Sequence, residues 1–306
     1  MAVASFVSPR QVPRLLSIAC GLLCAALLCL PFAVPSLAAD SGGKDGTPDD
    51  NAANAYTGTD SSNNYASSSA NVTIDTGGTG KDIYGGYAAS GDATGNTVTM
   101  TGGVARRLYG GWVVTEGGKA SGNTISISGG TIQQYVIGGW GGNATTSTSA
   151  TGNTIRISGS PVLTNAVLYG GWHYSSSPID EITGNTLEIR SVGLSAKNVA
   201  NFENYHFILP GTVKAGDTVL TLTDPNGTDI SNSKVGVAVA AGTSPLQKGD
   251  TVTLLKNENG LTTTGYTKKS LTGTQGISLE YDFTLNATLT TLDATVDTTP
   301  DPTLCA

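Results

Sequence analysis

Apolar residues in this chain come in short alternating runs, and the runs recur. Val98 and Met100, Ile125 and Ile127, Ile155 and Ile157, and Leu187 and Ile189 each stand two positions apart. A period of two is the pattern of a strand buried on one face. The residues between them, Thr99, Ser126, Arg156 and Glu188, are predicted to face outward. Each run follows a Gly-Asn-Thr triplet, beginning at Gly95, Gly122, Gly152 and Gly184. A second motif alternates with the first: Ile83-Tyr-Gly-Gly-Tyr87, Leu108-Tyr-Gly-Gly-Trp112, Val136-Ile-Gly-Gly-Trp140 and Leu168-Tyr-Gly-Gly-Trp172. Successive copies lie 25, 28 and 32 residues apart for Gly-Gly, and 27, 30 and 32 for Gly-Asn-Thr. Asn71-Val-Thr-Ile-Asp75 reads as a partial copy ahead of them.

A unit of 25–32 residues with two or three short strands cannot bury its apolar face alone. Stacked units bury a continuous core, so residues 70–190 are predicted to form an all-β solenoid, a parallel β-helix. Coils about 4.8 Å apart would pair each strand with its copy above and below. Asn96, Asn123, Asn153 and Asn185 would then form an amide ladder at a corner, where Asn tolerates a left-handed backbone and bonds neighbouring backbone groups. Tyr87, Trp112, Trp140 and Trp172 would form an aromatic column, which takes in every Trp of the chain. The lengths vary mainly between Gly-Gly-Trp and Gly-Asn-Thr, as in Gly141 to Thr151, which marks one loop face as tolerant of insertions.

The flanks differ in character. Residues 1–39 read as a secretory signal peptide: Arg10 and Arg14, an uncharged run from Leu15 to Leu30, then Ser36-Leu37-Ala38-Ala39 for cleavage after Ala38 or Ala39. Cys20, Cys24 and Cys29 leave with it, so only Cys305 remains and the mature fold has no internal disulfide. Residues 40–69 lack apolar periodicity and are predicted to be a flexible segment. Residues 191–306 form a second β-rich region.

The Gly-Gly-Trp and Gly-Asn-Thr repeats, with the segment from Asn198 to Leu255 that follows, resemble the passenger region of bacterial autotransporters, the type V secretion family. The resemblance spans roughly Ala70 to Val296. It implies a right-handed β-helix, export to the cell surface or medium, and a following outer-membrane β-barrel. Such a barrel needs many amphipathic strands of about 9–11 residues. Gly276 to Val296 supplies only a few, so the barrel is expected to be missing from this chain.

Composition narrows the chemistry. Charged residues make up 13% of the chain, about half the usual share, with a net charge of −7 and no basic run to suit nucleic acid. His173 and His206 have no second His or Cys at metal-ligand spacing and are expected to be surface or half-buried. Asp180 and Glu181 would diverge on a strand, so they make a poor acid–base pair and read as solvated loop charges. Gly77-Gly-Thr-Gly-Lys-Asp82 fits one copy of a calcium-binding repeat, but no tandem copy follows, and a turn is the expected reading. No catalytic, cofactor-binding or metal-ligating residue is assigned. The expectation is a non-catalytic, surface-exposed or secreted adhesive or structural passenger. Its partners would be host surface glycan, matrix or sister copies, and it would meet the outer membrane only through the missing barrel. The alternatives are a secreted polysaccharide-active β-helix enzyme, which would need clustered charge on one face, and a truncated remnant.

Overall fold

A computed structural model describes residues 56–57, 71–76, 81–114, 117–141, 149–173, 179–240, 246–271 and 281–298. The leader, residues 77–80 of the calcium-like motif and Cys305 lie outside the described residues.

Every regular element described is a strand. The repeats supply β1 (Tyr56–Thr57), β2 (Asn71–Thr76), β3 (Lys81–Ala88), β4 (Thr97–Met100), β5 (Val104–Val113), β6 (Thr124–Ile127), β7 (Thr131–Trp140), β8 (Thr154–Ile157), β9 (Leu163–Trp172) and β10 (Thr186–Ile189). Then come β11 (Leu194–Ala200), β12 (Asn204–Leu209), β13 (Thr218–Leu222), β14 (Thr228–Asp229) and β15 (Lys234–Val239). The last are β16 (Thr251–Asn257), β17 (Leu261–Thr262), β18 (Thr267–Lys269), β19 (Asp282–Ala287) and β20 (Thr291–Thr298). Tyr56–Thr57, from the segment expected to be flexible, pair in parallel with β2.

The strands wind into two nine-stranded sheets. One runs β1-β2-β4-β6-β8-β10-β12-β15-β18; the other runs β3-β5-β7-β9-β11-β13-β16 and ends on β20 and β19. β14 and β17 make a short third face. Pairing is parallel throughout the coils, so the chain is a parallel β-helix, and it continues well past the last Gly-Asn-Thr copy. The exception is the β19–β20 hairpin, which pairs antiparallel with β16. It covers the terminal edge of that sheet, which would otherwise offer unpaired backbone groups to another chain.

Register aligns each core position with its copy. Val72, Val98, Ile125, Ile155 and Leu187 stack in one inward column, which Tyr205 and Val235 extend. Ile83, Leu108, Val136, Leu168 and Val199 face them from the second sheet. Each is nearly or wholly buried, and such a side chain contributes about 1.5–3 kcal/mol relative to exposure.

The Asn ladder forms with all four residues fully buried. Nδ2 of Asn96 donates to Oδ1 of Asn123 at 2.7 Å, Asn123 to Asn153 at 3.0 Å, and Asn153 to Asn185 at 3.2 Å. The backbone is arranged otherwise than expected. The left-handed corner is taken by the preceding glycine (Gly95, Gly122, Gly152 and Gly184, φ 66–71), not by the Asn. The reason is spatial: the corner residue points outward, whereas the Asn must stay inside to reach the next coil.

The structure also explains why the two motifs travel together. A Cβ on Gly111 would lie 2.6 Å from Nδ2 of Asn123, and one on Gly86 2.3 Å from Nδ2 of Asn96. The amide fills the space that the glycines leave. Tyr84, Tyr109, Tyr87, Trp112 and Trp140 form an apolar cluster apart from the main core. Trp112 and Trp140 stack at 4.5 Å with planes 1° apart, and Trp140 meets Trp172 edge-on at 4.5 Å. The column is therefore packing: Trp112 and Trp140 are 5% and 3% exposed, and only Tyr135, Tyr169 and Trp172 show partly at its end.

Candidate functional site

The coils change shape after β10, and the change makes a groove. From β8 to β10 one circuit takes 32 residues, Thr154 to Thr186. The next circuit, Thr186 to Asn204, takes only 18. What is missing is the arm between Gly-Gly-Trp and Gly-Asn-Thr. In the earlier coils that arm has its own small core of Ala88, Ala93, Val113 and Ala120. Its edges stack through Lys119, Ser149 and Asp180. Below Asp180 the arm has no further copy, because Ala200 turns within four residues into Asn204 of β12. The described end of the last arm, residues 179–183, thus overhangs the coils that follow.

Under the overhang lies a groove of about 810 Å³. Ile182, 49% exposed, contributes from the arm. The wall is made of three stacked coils: residues 198–202 with Tyr205, residues 226–233, and Asn259, Gly260 and Thr262. Asn201 and Asn232 occupy the left-handed corners of two successive coils, at φ 62° and 60°. The Asn201 amide donates to the Gly171 carbonyl at 2.9 Å and so ties the wall to β9 in the coil above. Asn185, the last rung of the ladder, donates to Ala150, Glu181 and Asn201 carbonyls at 2.9, 2.6 and 3.3 Å. Asn198 is held by Asp224 Oδ2 at 3.0 Å and accepts from the Thr228 hydroxyl at 2.7 Å. These bonds tie successive coils of the wall together. Asp229 is the only charged side chain among its described lining residues.

A second constellation lies on the outer face of the first sheet. Arg156, Glu188 and His206 stack in register there, followed by Gly236 and Lys269. Glu188, predicted to face outward, does so but is only 8% exposed. Two guanidiniums cover it: Nε of Arg156 at 2.7 Å and Nε of Arg190 at 2.5 Å. Burial pushes its pKa up, but the hydrogen bonds from Arg190 and Arg156 outweigh that and hold it below the usual carboxylate range. An ionised group so held is a poor general acid. His206 is half-buried, as expected, and its Nε2 has no partner among the described residues. Burial, and then Lys269, lower its pKa, against an opposing pull from Glu188.

Because the folded pKa of Glu188 is depressed, its stabilisation is present above the unfolded carboxylate value of about 4.3 and is lost as pH falls through the lower folded value. Glu188→Gln is expected to cost roughly 1–2 kcal/mol at pH 7, since both arginines are 41% exposed and screened. Urea unfolding at pH 7 and pH 3 checks this: the gap between wild type and variant should narrow at the lower pH.

The other sequence candidates are placed as follows. His173 Nδ1 lies 2.7 Å from Glu181 Oε2, a pair separated by eight residues that no spacing rule flagged. Asp180 and Glu181 do not work together: Asp180 Oδ1 accepts the backbone N–H groups of Ile182 and Thr183 at 3.1 and 2.9 Å. Asp82, the last residue of the calcium-like motif, is buried against Arg106, whose Nε lies 2.7 Å away. Among the described residues no group of three or more His, Cys, Asp or Glu is placed to hold a metal ion.

Comparison with family models, curated proteins and solved structures returns no match for this chain.

Proposed function

We propose that this chain is an exported, non-catalytic passenger module, autotransporter-like, that makes adhesive or structural contacts at the cell surface or in the medium. The observation that carries the reading is how the repeated side chains are used. The Asn amides bond one another, the aromatic rings cover one another, and both arginines around Glu188 are engaged by it. These repeated side chains are committed to stacking rather than turned toward a substrate. What remains outward on the described coils is a weakly charged surface carrying Ser, Thr and Asn, with the groove beside the last arm. The signal-like leader supports delivery outside the cytoplasm.

The test is contact itself. Purified chain coated on beads is expected to retain them on host-cell or matrix layers, or to clump them by self-association. Failure of all three sinks the adhesive reading, and turnover of a polysaccharide panel would favour an enzyme instead.

A further inference from the structure

We propose that the groove under the overhanging arm binds an uncharged oligosaccharide. The inference rests on the contact-module reading and names the ligand class and its site. The volume, about 810 Å³, lies within the range of about 300–1,000 Å³ usual for small-ligand sites.

Charge selects against ionic ligands. No Lys, Arg or His is among the described lining residues, so a sulfate, phosphate, uronate or sialyl group would meet no cation and one carboxylate, Asp229. A cationic ligand would meet only that exposed carboxylate, whose Oδ1 already accepts the Ser231 N–H at 2.8 Å.

Hydrogen-bonding capacity selects for hydroxyls. Among the described residues the Asn232 amide and the Ser231 and Thr262 hydroxyls make no side-chain hydrogen bond. The amides of Asn201, Asn226 and Asn259 donate to Gly171 O, Asp224 Oδ1 and Asp224 O at 2.9, 3.2 and 3.2 Å. Their oxygens remain as acceptors. The wall thus carries both donors and acceptors, on coils that repeat at about 4.8 Å. Neighbouring sugar hydroxyls, each both donor and acceptor, match that arrangement. Ile182 offers apolar surface to the C–H face of a pyranose ring. An extended peptide would instead seek a sheet edge for its main-chain bonds, and this wall presents side-chain faces.

Binding of the intact chain to an array of neutral, sialylated and sulfated oligosaccharides tests the proposal. It is followed by calorimetry with the best neutral ligand and with the double variant Asn232→Gly/Thr262→Val. Glycine keeps the positive φ at 232, so the fold should hold, and an unchanged melting temperature verifies it. Neutral glycans are expected to bind, with affinity at least about tenfold weaker in the variant. The proposal is overturned if only charged glycans bind, if no glycan binds at millimolar concentration, if a peptide probe alone binds, or if the variant binds as wild type does. Bead retention on cells separates the two readings: retention that survives the double variant removes the groove but leaves the contact module, whereas no retention removes the module whatever the array shows.

Discussion

Gly139→Ala is expected to stop the repeats from folding, although it adds a single methyl group. The new Cβ would lie 1.9 Å from the Ala120 carbonyl oxygen and 2.8 Å from Nδ2 of Asn153. Neither atom is free to move. The Ala120 N–H bonds to Ser149 O at 2.9 Å, and Nδ2 of Asn153 donates to that same Ala120 carbonyl at 3.1 Å. Relief would require parting two coils or breaking a rung of the ladder. The cost should exceed about 5 kcal/mol, the whole stability of a marginally stable domain. Gly122→Ala is the control. It has nothing within 4 Å of its Cβ but φ is +69°, so only backbone strain applies, about 1–2 kcal/mol. Circular dichroism and thermal melting should find Gly122→Ala folded with a lower midpoint and Gly139→Ala without native signal. Equal effects would refute the steric account of the Gly-Gly pair.

Asn153→Ala should come close in severity. Its Oδ1 accepts the Asn123 backbone N–H at 3.0 Å and the Asn123 amide at 3.0 Å. Its Nδ2 serves Asn185 Oδ1 and the Ala120 carbonyl. Truncation strips partners from groups on both neighbouring coils, all of them out of reach of water. A buried polar group left unsatisfied costs about 1–3 kcal/mol, so roughly 3–5 kcal/mol in all is expected. Asn96→Ala, at the first rung, removes one donor from Asn123 Oδ1 but leaves the Asn96 backbone N–H bonded there at 3.0 Å. It should cost about 1–2 kcal/mol. In a stacked array stability is carried by neighbour contacts, so the interior change should also split the urea transition into two. A single transition with equal losses at both positions would show that the ladder does not couple the coils.

Both predictions fall on positions that the repeats single out in the sequence. Repetition made that possible: when coils stack at one strand spacing, residues one period apart must meet, whatever the shape of the coil. The inward columns, the outward Thr99–Ser126–Arg156–Glu188 column, the Asn rungs and the Trp stack follow from counting alone. The β-helix itself follows from the alternation within each run.

Contacts across a coil do not follow from any period, because they depend on how the chain bends between strands. Only the tertiary structure decided that Gly-Gly faces the Asn amide, that glycine rather than Asn takes the left-handed corner, and that the aromatic column is buried. The same holds for His206 falling in line with Glu188 and for His173 meeting Glu181, since neither histidine belongs to a repeated triplet. The groove is the hardest case. No motif encodes it. It exists because one arm is absent from the coil between Thr186 and Asn204, and an absence becomes a site only when the coils above and below are stacked around it.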